Sequence, residues 1–201
     1  PTKSRSILKS GDDVVAISLL NPGESGSVTF NAPEKPGAYP FACIYPGHQV
    51  SMYGVMHVVE DKANPNLPEE DEDSGIPPGW KDAKNAAVET TQLPEASGTG
   101  SSEEEEKEAP EFVEEDSTEA EGPRQVTIGM YPNMHFSLGR FVVETNERLT
   151  VEFVNDDPQD QPHNLVFTKP GRRMKVFADM MRMGPRAVSS GYIPTKSRSI
   201  L

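Results

Sequence analysis

Residues 37–60 read GAYPFACIYPGHQVSMYGVMHVVE, and the stretch from Cys43 to Met52 places a thiol, the imidazole of His48 and a thioether on one short loop. Sulfur donors beside an imidazole suit copper, and a redox copper site takes two histidines and one cysteine in a plane with a weak axial methionine. A second histidine must then come from elsewhere in the chain. His163, in DQPHNLVF, is the candidate. The competing reading of Cys43 is a buried, inert cysteine, and that of a lone histidine is an ordinary packed side chain.

Around this loop the hydrophobic pattern has period two. Leu149, Val151 and Phe153 alternate with polar residues, as do Val28 and Phe30 and the run from Val55 to Val59. NPGESG, APEKPGAYP and TKPGRR punctuate the runs. This predicts an all-β chain. Strands are expected over residues 13–20, 26–31, 37–43 and 54–60 in one half, and over 126–130, 134–144, 148–155 and 163–168 in the other. Eight such strands joined in Greek-key fashion suit a β-sandwich. Residues 174–193, MKVFADMMRMGPRAVSSGYI, are less strand-like and carry Met174, Met180, Met181 and Met183. Thioethers at mixed spacing read as fillers of an irregular core in preference to a copper relay.

The chain has 201 residues and a formal net charge of -13, enough for one core beside a long polar segment. The charge is unevenly placed. Residues 61–123 hold 20 Asp and Glu against 4 Lys, a net of -16, which leaves +3 for the rest. Runs such as PEEDEDSG and SSEEEEKEAPE cannot bury enough surface to offset chain entropy, so 61–123 is expected to be a disordered acidic linker. Trp80, the only tryptophan, reads as incidental to it. A single cysteine excludes an intramolecular disulfide. The opening PTKSRSIL lacks the regions of a signal peptide, so the natural N-terminus is expected upstream. No apolar run approaches 18 residues, and no membrane span is expected.

Residues 37–60 resemble the closing strand, ligand loop and last strand of the cupredoxins, with the Cys-x4-His-x3-Met spacing of azurin and auracyanin. Residues 149–167, LTVEFVNDDPQDQPHNLVF, resemble the earlier strand and loop that carry the family's first histidine and the asparagine after it, here Asn164. The order is reversed, because in the family the histidine segment precedes the cysteine segment. The chain ends show how: residues 1–8 and 194–201 are both PTKSRSIL, an offset of 193 (194 minus 1). Chance would give such an identity at one offset on the order of once in 10^10. Reading across the seam restores the family order. The chain is thus one period cut from a tandem array or a circular permutant, and a sequence assembled across a collapsed repeat would read the same. Residues 1–60 would form the C-terminal half of the domain and 124–201 the N-terminal half. A flexible linker of 61–123 would span about 45 Å, ample for closure. The two PTKSRSIL copies would compete for one place, leaving one frayed.

The resemblance implies a type 1 copper held by Cys43, His48, Met52 and His163. Asn164 would tie the ligand loops together with its backbone N–H aimed at the sulfur, and the Pro162 carbonyl would stand at the distant fifth position. Met56, His57 and His135 read as strand residues. A site with every strong position filled suits one-electron transfer, so an electron carrier is expected and not an enzyme. A copper module of a larger oxidase or cytochrome-type protein, or copper storage or delivery, are the alternatives. The implied partner is a redox protein such as a cytochrome, met at a patch of His48, Tyr45, Val50 and Tyr53 rimmed by Lys3, Arg5, Arg172, Arg173 and Arg186. No nucleic acid is implied. The protein is expected as a monomer or swapped dimer, in a periplasm or at a cell surface.

Overall fold

The computed structural model describes residues 15–70, 73, 75, 77, 122–131 and 134–201. Ten strands follow in chain order: β1 Ala16–Leu20, β2 Ser25–Asn31, β3 Gly37–Ala42, β4 Tyr53–Val59, β5 Arg124–Ile128, β6 Met130–Tyr131, β7 His135–Phe136, β8 Arg140–Glu144, β9 Arg148–Val154 and β10 His163–Phe167. Two helices close the chain, α1 Arg173–Arg182 and α2 Arg186–Ser189. One sheet runs β1-β10-β3-β4-β8, a second β2-β9-β5, and β6 and β7 form a short pair. The pairs β4/β8 and β5/β9 are parallel and the others antiparallel. The described chain is mostly strand, an all-β arrangement compatible with a β-sandwich.

Alternation explains which faces meet. In β9 Leu149, Val151 and Phe153 turn inward while their neighbours stay half-exposed, and they join Val28 of β2, Val126 and Ile128 of β5, and Phe41, Met56, Val58, Leu165 and Phe167 of the larger sheet in one core. Phe41 lies at its centre, with ring centroids 5.4 Å from Phe136, 5.7 Å from Phe141 and 5.5 Å from Phe167. Burying one such ring is worth about 1.5–3 kcal/mol. Gly54 is required beside it, because a Cβ there would stand 2.4 Å from Phe41 Cζ and 2.6 Å from the Gly139 carbonyl.

Strands β4 and β10 are buried at every position. Their inward residues belong to the inter-sheet core, and their outward ones are covered separately. Val166, Tyr53, Ala42, Ile44 and Ala16 pack beneath Val176 and Met180 of α1 and Ala187 of α2. His57 is covered by Glu70, which accepts from its Nε2 at 2.9 Å. The less strand-like 174–193 stretch is therefore a helical cap on the outer sheet face. Of its methionines, Met180 is buried and Met183 packs partly, while Met174 and Met181 are 45% and 54% exposed.

The expected strand over 134–144 is interrupted. Ser137 N donates to Gly129 O at 2.9 Å and Ser137 Oγ accepts from Gly129 N at 2.8 Å, holding this part beside β6. Beyond it, Gly139 O accepts from Val55 N at 2.9 Å and the chain joins β4. One stretch thus changes partner, and the break is the change. The first part of the expected linker is also placed. Lys62 N donates to Glu144 Oε1 at 3.1 Å, Glu70 holds Arg140 through two hydrogen bonds of 2.6 Å, and the Asp73 carbonyl accepts from Arg173 Nε at 3.0 Å. Within this part of the expected linker Glu70 and Asp73 thus meet Arg140 and Arg173, at the starts of β8 and α1. Trp80 and the runs of glutamate lie outside the described residues.

Candidate metal centre

Cys43 follows the last residue of β3, and its N–H donates to Met52 O at 3.0 Å, so the intervening loop leaves and re-enters the sheet at neighbouring positions. Gly47, with φ of 93°, lets the chain reverse after Pro46. A single 3-10 turn, His48–Val50, follows, and His48 O accepts from Met52 N at 2.9 Å. This short closed loop points the His48 ring back over Cys43. His163 opens β10, an antiparallel neighbour of β3, and so arrives from 120 residues away at the same level.

Cys43 Sγ is 3.6 Å from His48 Nδ1 and 3.9 Å from His163 Nδ1, and the two imidazole nitrogens are 3.1 Å apart. All three residues are buried, and their donor atoms lie within 4.8 Å of one another, a group that could hold a metal ion. Burial pushes the Cys43 thiol up to about 12, against backbone N–H groups of Asn164 and Tyr45 that favour the thiolate. Burial, then the neighbouring His163, hold His48 down to about 4, and burial also lowers His163. At neutral pH the site therefore offers two uncharged imidazoles and a sulfur that only a cation would strip of its proton. That donor set fits a soft metal ion.

The orientation of each donor is fixed from behind. His163 Nε2 donates to Asp157 Oδ2 at 3.0 Å, which leaves Nδ1 as the lone-pair nitrogen facing the sulfur. Burial would raise the Asp157 carboxyl, but hydrogen bonds from His163 and from the Gln159 and Gln161 N–H groups outweigh it and hold its pKa below the usual value. Asn164 Oδ1 accepts from Ile44 N at 2.9 Å and its Nδ2 donates to Gly191 O at 3.0 Å, so this side chain bridges the two ligand-bearing segments and the helical cap. Arg173, itself buried, donates to Gln49 O at 2.8 Å and lies 3.8 Å over the Tyr53 ring, gripping the outside of the loop.

Of the residues singled out from sequence, Cys43, His48 and His163 come together. Met52 is fully buried at the end of the same loop, and Met56 is equally buried in the inter-sheet core. Pro162 is half-buried immediately before β10. His57 and His135 lie on β4 and β7. The expected docking patch needs correction in three places: His48 is only 6% exposed, Tyr53 is buried, and Arg173 is buried against Gln49 and Tyr53 and no part of a rim. Val50, at 65% exposed, stands out, as do Arg172 and Arg186 of the expected rim. Lys3 and Arg5 lie outside the described residues. Asp157 is a site residue that the sequence reading does not name, and only the DDP turn six positions ahead of His163 could have pointed to it. Comparisons with family models, with curated proteins and with solved structures each returned no match.

Proposed function

We propose that the chain is a type 1 copper electron carrier of cupredoxin type, its Greek-key sandwich built in permuted order. The observation that carries this reading is the convergence of Cys43, His48 and His163, drawn from two distant segments, onto one buried point. Met52, held one loop turn from His48, is the axial candidate. Bound there, copper would supply a one-electron couple between Cu(I) and Cu(II).

The protein's part is to hold the donors still. Asp157 fixes the His163 tautomer, Asn164 ties its strand to the cysteine loop, and Arg173 pins Gln49 from outside. Phe41, Phe153, Phe167 and the other fully buried side chains of the core keep the interior dry. Donors that keep one arrangement in both oxidation states favour fast transfer over substrate chemistry. Copper storage or delivery would call for exposed donors, whereas Cys43 and His163 are 0% exposed. A redox partner such as a cytochrome, met near Val50, and a periplasmic or cell-surface location belong to the same proposal. None of the described helices is long and apolar enough to cross a membrane.

Voltammetry of the copper-loaded protein tests this reading. A reversible one-electron wave, with colour lost on reduction and recovered on oxidation, is expected. Release of the metal on reduction would point to delivery instead.

A further inference from the structure

Residues 194–201 lie along the end of β10 and the two residues after it. Leu201 N donates to Phe167 O at 3.1 Å, Lys169 N donates to Ser199 O at 2.9 Å, and Thr168 pairs with Ile200. Ile200, 2% exposed, fills the outer cluster beside Ala16, Val166 and Met180, and Leu201 packs against the inter-sheet core. Ser197 Oγ donates to Asp179 Oδ2 at 2.8 Å. Residues 1–8 carry the same eight side chains in the same order. Ile7, Leu8 and Ser4 could therefore make every contact that Ile200, Leu201 and Ser197 make.

Reach favours them as well. Val15 N donates to Leu201 O at 2.7 Å, so a Leu8 placed where Leu201 lies would already be beside Val15. Residues 9–14, KSGDDV, need only close a hairpin loop, and six residues can extend over about 20 Å. Their Gly and two Asp are turn formers. Because the side chains of the two copies are identical, the entropy of the two connections is what separates the alternatives, and that changes slowly with loop length.

We infer that residues 1–8 and 194–201 are alternative occupants of this single seat within one chain. With 194–201 seated, the helical cap is tied down at both ends, and Gly191 is held where its carbonyl accepts from Asn164 Nδ2. With 1–8 seated, the octapeptide runs directly into β1, and the end of the cap nearest Asn164 loses its tether. The repeat thus links the connectivity of the chain to a residue that orients the candidate metal centre.

Thermal unfolding of the full chain and of Ile7→Asp, Ile200→Asp and the double variant tests this. Each single variant keeps one intact occupant and should lose only a few degrees, whereas the double should fall by about 10 °C or more. The same ordering, with smaller shifts, is expected for Ala in place of Asp. The inference is overturned if either single variant falls as far as the double or fails to fold, or if the double melts like the unaltered chain. A melting temperature of Ile200→Asp that rises with protein concentration would also overturn it, since the seat would then be filled by another chain.

Discussion

His163 has two ring nitrogens with separate tasks: Nε2 is bound to Asp157 at 3.0 Å and Nδ1 faces Cys43. The cysteine loop announces itself in sequence because its donors sit within ten positions, whereas Asp157 serves through a fold contact that no fixed spacing marks. The methionines show the same limit. Met52 and Met56 are four residues apart and both fully buried, so burial does not rank them. Position does, since Met52 closes the ligand loop by accepting from Cys43 N and Met56 lies within β4, opposite Tyr39. Met52→Gln is therefore expected to lower the reduction potential of the copper-loaded protein while the colour remains, because a thioether favours Cu(I). Met56→Gln should leave the potential in place and cost stability alone. Voltammetry on the two variants distinguishes them, and a shift confined to Met56→Gln would move the axial position to that residue.

Strands announced by period two are found close to where the pattern puts them, because each has one face on the core and the pattern records it. What the pattern conceals is the second covering. The outer face of β4 is closed by α1 over Tyr53 and by the 61–70 segment over His57, and the second contact leaves no periodic trace in an acidic, proline-containing stretch. Glu70 is the fastening. Burial would raise its carboxyl, but Arg140 and then His57 outweigh burial and hold its pKa below the ordinary 4.5. A carboxyl depressed on folding contributes stability that is complete above its unfolded pKa and is lost as pH falls through its folded one. Glu70→Gln should thus cost about 1–2 kcal/mol at pH 7. The gap to the unaltered chain should close as the pH drops below 4.5. Urea unfolding at pH 7 and pH 3.5 measures it; a gap independent of pH would mean that Glu70 packs without acting as a charge.

At the scale of the whole molecule, neither half of the chain makes either of the two larger sheets alone. Strands β1, β3 and β4 come from one side of the acidic segment and β8 and β10 from the other, with β10 lying between β1 and β3 and β8 flanking β4 in the larger sheet; β2 likewise pairs with β9. The PTKSRSIL repeat is legible in the sequence, while the interleaving of strands from the two sides of the acidic segment is visible only in strand order. The central claim is that both halves build one copper site. It is tested most directly by titrating Cu(II) into protein cleaved at a protease site placed between residues 90 and 110. One copper per chain is predicted, with a strong visible thiolate-to-copper band, both fragments eluting together, and the band abolished by Cys43→Ser. A colourless complex, or two fragments that separate as independently folded pieces, would contradict the account.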